Sequence, residues 1–414
     1  MPDLRPTVAE AQAQILAGLR PGAVRSVPLD EALGLILAEA VAAPCDVPPY
    51  PNAAMDGYAV RAAEIAGASI TAPARLPVVG TVAAGGGTPT PLPPGRAMRI
   101  YTGGIVPAGA DTVVRQEDTD LGRDMVTITA DRDVGRHVRP AGGDVRCGVV
   151  PVPSGSVLTP ARLGVLASLG AATVAVIPPP RIGILATGDE LARAGEEPLV
   201  RQGARLGNSN AVSLAASVRR AGGVPVLLGP AVDDITVIQD AVRSHLESLD
   251  MLITTGGVSV GDRDLVRPAL AGLGVAEQFH RVRLRPGGPT VFGHFPSGTP
   301  WFGLPGNPVS TMVTFELFVR PAIRRLLGHA EVLPETIEVE LAEAVARDAT
   351  LELHQRCTLT ARPGRLPLAT LTGPQGSQLL TSMALADALL VVPAGEGVVE
   401  AGGVMGAIPL YSPP

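Results

Sequence analysis

Between Arg181 and Leu327 the chain alternates short apolar runs with helical patterns, and this rhythm constrains the fold more than any other feature. Strands are expected at Ile182–Ala186, Val224–Leu228, Leu252–Thr255 and Trp301–Leu304. Helices are expected near Ala211–Ala221, Ile235–Leu246, Leu265–Leu273 and Val309–Leu327. Alternating strands and helices imply a parallel sheet covered on both faces. Ligands on such sheets sit at the carboxyl ends of the strands. Polar turns fall at those ends: Thr187 to Glu190, Thr254 to Asp264, and Leu304 to Ser310.

The middle turn is the richest. Met251 to Ile253 reads as a buried strand, followed by Thr254, Thr255, Gly256 and Gly257, then Ser259, Gly261, Asp262 and Asp264. Glycines let backbone approach a ligand, and free N–H groups at a helix start face an anion. The acids beyond them could hold a divalent cation against that anion. Taken alone, the run reads equally well as a tight strand-to-helix turn with solvated aspartates. Asp189 and Glu190 could simply cap a helix. Gly306-Asn307-Pro308 could be a tight turn with Asn307 as N-cap and Pro308 at the first helical position. Three such turns on one sheet edge are harder to dismiss. They gather backbone N–H groups, the hydroxyls of Thr255, Ser259 and Ser310, and the acids Asp189, Glu190, Asp262 and Asp264. That mixture suits a phosphate- or pyrophosphate-bearing ligand with Mg²⁺. The reaction does not follow from these residues.

Elsewhere, Thr7 and Glu10 form a capping box before a helix over Val8–Leu19. The spacing of Leu29, Ala32, Leu33, Ile36 and Leu37 predicts a second helix over Leu29–Val41. A proline-rich loop, Pro48 to Val60, carries Asp56-Gly57, a turn signal. From Leu76 to Val152 short alternating runs such as Met125–Ile128 read as β-structure, with Thr102 just after a strand. Thr159 and Pro160 start another helix. After His329, runs at Ile337–Leu341, Thr358–Thr360 and Ala388–Val392 read as a small β-domain. The expected division is 1–48 with 152–180 as a helical and linking domain, 49–151 as an inserted β-domain, 181–328 as the α/β domain and 329–414 as the C-terminal β-domain. Arg281, Arg283 and Arg285 alternate onto one face of a strand, either an exposed edge or an oxyanion site.

Composition removes several functions. The net charge is −6 and aromatics are 3%, so neither the basic surface nor the stacking platform of a nucleic-acid binder is present. There is no lysine, which excludes a P-loop and Schiff-base chemistry. No G-x-G-x-x-G joins a strand to a helix, which argues against a nicotinamide dehydrogenase. Cys45, Cys147 and Cys357 are widely spaced, which suits a reducing cytoplasm rather than a zinc or disulfide framework. No signal-like segment opens the sequence, and no membrane span is expected.

Five runs together resemble the molybdopterin molybdenumtransferases, the MoeA and gephyrin E-domain group. They are Asn52–Val60, Arg99–Asp111, Ala186–Leu191, Thr255–Asp264 and Gly303–Ser310, in the family's order. The resemblance implies a multidomain α/β plus β fold. It has a three-layer α/β molybdopterin-binding domain, an inserted β-domain and a barrel-like C-terminal domain. It implies a cytoplasmic homodimer that inserts molybdenum from molybdate into adenylylated molybdopterin, with Mg²⁺, and releases AMP. It implies supply by the molybdopterin adenylyltransferase and delivery to apo-molybdoenzymes. By motif, Thr255, Gly256, Gly257 and Ser259 would contact the pterin or its phosphates, within a substrate site that also takes in Asp189, Gly306, Asn307 and Pro308. Glu190, Asp264 and Asp144 would serve metal handling or phosphoanhydride cleavage. Asp56 and Thr102 would reach a cleft completed by the partner subunit. Arg285, Ser310, Arg356 and Ser377 would bind molybdate.

One departure matters. The family's Lys-Pro-Gly-Lys-Pro run is here Arg285-Pro-Gly-Gly288-Pro289. The first cation becomes a planar guanidinium, with different contact geometry, and the second is gone. That change motivates an alternative: a molybdopterin-binding scaffold or sensor without insertion activity. A smaller departure is Ala141 to Asp144, where many members carry an acid or histidine before the aspartate.

Overall fold

We analysed a computed structural model that describes residues 4–193, 195–257 and 264–410. Ser259, Gly261 and Asp262 lie outside the described residues. Contacts divide the chain into two compact units, Met1–Arg25 with Val176–Pro414, and Ser26–Ala175.

The larger unit is built on a six-stranded sheet. Its strands are β1 (Arg181–Thr187), β2 (Val224–Ala231), β3 (Met251–Thr255), β4 (Ala276–Phe279), β5 (Val291–His294) and β6 (Pro300–Leu304). Their order is β2-β1-β3-β6-β5-β4. The first four are parallel, as expected, and β5 and β4 extend them antiparallel. The reversal has a local cause. Phe295 N–H donates to Thr299 at 3.0 Å and Gly298 N–H to Phe295 at 2.8 Å, a turn too short for a crossover helix. β3 is buried along its whole length, as an apolar run in a doubly covered sheet must be. Ile238, Val242, Val266, Ala269 and Leu270 from two helices pack onto Leu185, Leu252 and Trp301. Trp301 Nε1 donates to Thr254 Oγ1 at 2.9 Å, so the one tryptophan is buried with its polar atom satisfied. β1 lies between β2 and β3, so the chain leaves it in one direction and returns on the other side. That switch point opens a crevice at the carboxyl ends of β1 and β3.

The helix expected over Val309–Leu327 is three pieces: Pro308–Thr314, a wide π turn at Phe315–Val319, and Arg320–Leu326. Pro321 has no N–H for the Leu317 carbonyl one turn back. Gln12 Nε2 donates to that carbonyl instead, at 3.0 Å, and docks the first helix, Val8–Ala17. The capping box at its start is present, with Glu10 N–H to Thr7 Oγ1 at 3.2 Å and Thr7 N–H to Glu10 at 2.8 Å. Beyond this helical run Ile337–Leu341, Glu352–Thr360, Leu368–Leu371, Ala388–Val392 and Val404–Pro409 pair in a ring and close a five-stranded barrel. Leu284–Arg285 adds to the strand Glu352–Thr360 and ties the barrel to the α/β part.

The smaller unit holds a five-stranded sheet in the order Thr112–Arg115, Gly57–Val60, Ala97–Ile100, Ala74–Val82, Met125–Ile128. The helix expected over Leu29–Val41 is absent. Its place is taken by a 3₁₀ turn at Leu29–Glu31 and a short strand at Ile36–Leu37. Leu37 N–H donates to Ser156 and Ala38 N–H to Ala175, so the backbone is satisfied across the fold and not along a helix. Leu33, on the expected apolar face, is 60% exposed. Asp56-Gly57 is also more than a turn, because Gly57 begins a strand and pairs with Arg115.

Within this unit Asp133 is fully buried. It accepts from Arg115 Nη2 at 2.8 Å, Arg115 Nε at 3.0 Å, the Arg115 N–H at 3.0 Å and His137 Nε2 at 2.9 Å. Burial pushes the carboxyl up, but the Arg115 and His137 donors outweigh it and hold Asp133 well below the usual carboxylate range. The folded pKa is depressed. Its stabilisation is therefore present above the unfolded value of about 3.9 and is lost as pH falls from there toward the folded value. Asp133→Ala should destabilise the protein by about 3 kcal/mol near neutral pH. Denaturant melts should show the difference from wild type shrinking below about pH 4, and a pH-independent difference would contradict the assignment.

Candidate functional site

A cleft of about 1290 Å³ opens at the carboxyl ends of β1, β3 and β6. Its floor is made by strand ends that crowd together. Gly256, at φ +88°, follows β3, and a Cβ there would lie 2.6 Å from the Thr187 carbonyl oxygen. Gly188, at φ +149°, follows β1, and a Cβ there would meet the Glu190 carboxylate at 2.6 Å. Only glycine fits such positions. Gly256 N–H donates to Leu304 at 3.2 Å, joining the ends of β3 and β6.

Buried hydrogen bonds fix the turns. Thr255 Oγ1 donates to Pro305 at 3.1 Å and accepts from Asn210 Nδ2 at 2.9 Å. The same Asn210 amide donates to the Gly306 carbonyl at 2.8 Å. Asn210 was not singled out from sequence. Its signal is the run Gly207-Asn208-Ser209-Asn210, which starts the helix Ser209–Arg220. Asn208 caps that helix by accepting from Ala211 N–H at 3.1 Å, which leaves Asn210 to stitch the turns. Asn210 Oδ1 and Thr187 Oγ1 are buried without a protein partner, and both residues line the cleft. Buried polar atoms of that kind mark a place for a ligand's own donors.

Of the residues expected at the site, Glu190, Thr255, Gly256, Gly257 and Asp264 line the cleft. So do Gly306, Asn307, Pro308, Arg285, Ser310 and Ser377. Asn307 stands at the helix start, but its side chain does not cap. Asn307 Nδ2 donates to Ser377 Oγ at 2.9 Å, while Val309 N–H donates to the Ser377 carbonyl at 3.1 Å. The barrel's loop is thereby fastened to the sheet edge.

Two residues expected at the site stand outside the cleft lining. Asp189, expected to contact substrate, lines a separate small hollow. Its carboxylate accepts from Asp233 N–H at 3.2 Å and its carbonyl from Arg205. The turn at Gly188 presents Glu190 to the cleft instead. Arg356, expected to bind molybdate, is fully buried and is absent from the cleft lining. Its guanidinium donates to Ser382 Oγ at 3.2 Å and to the carbonyls of Gln375, Pro374 and Gly376 at 3.0, 3.1 and 3.1 Å. Arg356 thus shapes the loop that carries Ser377. The three alternating arginines also part ways. Arg281 and Arg285 line the cleft, whereas Arg283 lies 3.7 Å from Glu10. Arg285 Nη1 is 3.3 Å from Asp348. Gly288 lines the cleft without charge, and its carbonyl accepts from Val282 and Thr290 N–H at 2.9 Å each.

Asp56, Thr102 and Asp144 belong to the smaller unit. Asp56 Oδ1 accepts from Thr102 N–H at 2.8 Å and Thr102 Oγ1 at 2.7 Å, and these donors hold its carboxyl below the ordinary range. Asp144 is exposed, with its N–H on the Val47 carbonyl at 3.0 Å.

The cleft is divided in charge. Among the described lining residues Glu190, Asp233 and Asp264 are the acids, and Arg5, Arg281 and Arg285 the cations. Among the described residues no group of three or more His, Cys, Asp or Glu side chains could hold a metal ion. One or two carboxylates with ligand oxygens and waters suffice for Mg²⁺. The donor set therefore fits a cation that arrives with a phosphorylated ligand. Strand ends this crowded, with both charges in reach, define an α/β protein that handles a phosphorylated small molecule. Among the described residues no helix is long and apolar enough to cross a membrane.

Comparison with known proteins narrows that class. The family described as MoeA N-terminal region (domain I and II) matches residues 6–170. The probable molybdopterin binding domain matches residues 183–325, and the MoeA C-terminal region (domain IV) residues 338–410. Molybdopterin molybdenumtransferase 2 of Mycobacterium tuberculosis is 37% identical over 407 residues, covering 95% of this chain and 96% of the relative. The molybdopterin molybdenumtransferase of Bacillus subtilis is 34% identical over 399 residues, covering 95% and 92%. The crystal structure of the molybdopterin biosynthesis MoeA protein from Pyrococcus horikoshii OT3 superposes with a TM-score of 0.80 at 26% identity, covering 98% and 100%. The chain belongs to the MoeA family of molybdopterin molybdenumtransferases.

The stitch at Asn210 makes a prediction. Asn210→Ala leaves the Gly306 carbonyl without its protein donor and should lower stability by about 0.5–1.5 kcal/mol. Because the turn it releases forms the cleft floor, ligand affinity should fall further than the melting temperature alone would suggest. Wild-type affinity in a destabilised variant would confine Asn210 to a structural part.

Proposed function

We propose that this protein inserts molybdenum into molybdopterin, taking adenylylated molybdopterin and molybdate and releasing AMP. The observation that carries the reading is the cleft: glycine turns and orphaned buried acceptors on its floor, carboxylates and arginines on its walls. Such a reaction must hold two anions close together and cleave a phosphoanhydride. Preorganised electrostatics supplies most of the acceleration in phosphoryl chemistry. Backbone groups at Gly256, Gly257 and Gly306 take the pterin nucleotide. Ser310, Ser377 and Arg285 take the molybdate, and Arg356 positions Ser377 through its loop. Glu190 and Asp264 would hold Mg²⁺, which supplies charge neutralisation at the phosphoanhydride when bound. Asp264 also acts on Arg267, whose guanidinium is stabilised mainly by Glu277 and further by Asp264.

The reading extends to assembly. A homodimer would let the Asp56–Thr102 pair of one subunit complete the cleft of the other. The adenylyltransferase would supply the pterin nucleotide in the cytoplasm, and apo-molybdoenzymes would receive the product. Gly288 favours a second reading, a molybdopterin-binding scaffold, because it leaves one cation fewer for the oxyanion.

The test is molybdate-dependent AMP release from adenylylated molybdopterin by the purified protein. Binding without turnover would favour the scaffold. Asp264→Asn should abolish AMP release and leave pterin binding largely intact, and wild-type release by that variant would remove Asp264 from the chemistry. Light scattering at micromolar concentration should give a dimer. A stable monomer with full activity would rule out a shared cleft for Asp56 and Thr102.

A further inference from the structure

We propose that Arg5 is a ligand-binding residue of the cleft, carried there by the segment before the first helix and set to bind an oxyanion with Arg281 and Arg285. The inference rests on the cleft being the anion site described above, and it adds a contact from a part of the chain far from every turn of that site.

The first observation is placement. Arg5 lines the same cleft as Arg281 and Arg285, and these three are the cations among the described lining residues. The chain has no lysine, so nothing but arginine could supply fixed positive charge there. One of the three cations therefore comes from the N-terminal segment.

The second observation is the fastening of that segment. Arg283 N–H donates to the Pro6 carbonyl at 2.9 Å, which lays residue 6 beside the run that carries Arg281 and Arg285. Pro6 fixes its own φ and lacks an N–H, so the backbone next to Arg5 has little freedom. Two residues on, Thr7 and Glu10 lock each other in the capping box, and Arg283 lies 3.7 Å from Glu10. Gln12 then pins the helix to Leu317. These contacts fall within residues 6–12 and hold the chain that directly follows Arg5. A guanidinium on so constrained a backbone loses less freedom on binding than one on a mobile tail.

The third is chemistry. The guanidinium fork matches the paired oxygens of phosphate-like tetrahedral anions. Gly288 brings no charge to this corner, and Arg285 is already 3.3 Å from the Asp348 carboxylate, which offsets part of its charge. Arg5 adds a further guanidinium to the same wall. The oxyanion could be free molybdate or the phosphoanhydride end of the nucleotide ligand.

Calorimetric titration of the full-length protein separates these sources. Molybdate alone and inorganic pyrophosphate alone serve as probes, at low ionic strength, for wild type, Arg5→Ala and Arg20→Ala. Arg20 is an exposed arginine whose guanidinium donates to the Ala17 and Leu19 carbonyls, and it tests loss of charge in general. Arg5→Ala should weaken at least one probe by about tenfold, with an unchanged melting temperature, while Arg20→Ala matches wild type. Loss for molybdate places Arg5 at the molybdate end, and loss for pyrophosphate places it at the phosphoanhydride end. Equal weakening by Arg5→Ala and Arg20→Ala, or none by Arg5→Ala, would overturn the inference. Failure of the wild-type protein to bind either probe would instead remove the reading of the cleft, and this inference with it.

Discussion

The side-chain amide of Asn210 donates to Thr255 Oγ1 and to the Gly306 carbonyl, and so joins the turns after β3 and β6. The rest of the site is built outward from that joint. Thr255 Oγ1 donates a hydrogen bond to the Pro305 carbonyl, which sets the loop leading to Asn307. Asn307 reaches Ser377, and Ser377 is placed by the loop that Arg356 holds. A continuous set of hydrogen bonds therefore runs from the sheet edge to the barrel. Hydrogen-bonded networks of this kind are stiff, because a shift of one member breaks its bonds to the others. Stiffness is what a site needs if it works by holding charges in place.

Arginine has two contrasting jobs in this chain. Arg356 is buried, with four of its donors on protein oxygens. Burial lowers its pKa, and the carbonyls around it make the buried cation tolerable. Arg281 and Arg285 keep their guanidiniums on the cleft wall. Residue type does not distinguish the two jobs. What distinguishes them is whether a loop of carbonyls closes around the fork, and that depends on residues 374–376, nearly twenty positions away in sequence.

The same distinction explains what the sequence made legible. The strands of the α/β part were readable because full burial demands unbroken apolar runs, as in Met251–Thr255. The crowded turns were readable because only glycine allows a Cβ-free approach such as that of Gly256 to Thr187. The helix read over Leu29–Val41 failed because its apolar spacing was a coincidence, and the backbone found partners in Ser156 and Ala175. Asp189 and Glu190 are adjacent acids, and the φ of Gly188 decides which one enters the cleft. Asn210 escaped notice because its partners, Thr255 and Gly306, lie 45 and 96 residues away.

Gly288 stands in a tightly folded run on the cleft wall and brings no charge to it. Its carbonyl takes two N–H groups, from Val282 and Thr290, so the run on either side folds back tightly on itself. A Cβ at this position would lie 3.0 Å from the Leu284 carbonyl oxygen, closer than side-chain carbons ordinarily come. A side chain there would need that carbonyl to give by a few tenths of an ångström, next to Leu284–Arg285, the short strand that joins the barrel to the α/β part. Among the described lining residues the cleft draws its positive charge from Arg281 and Arg285 on the run itself and from Arg5 on the segment bonded beside it.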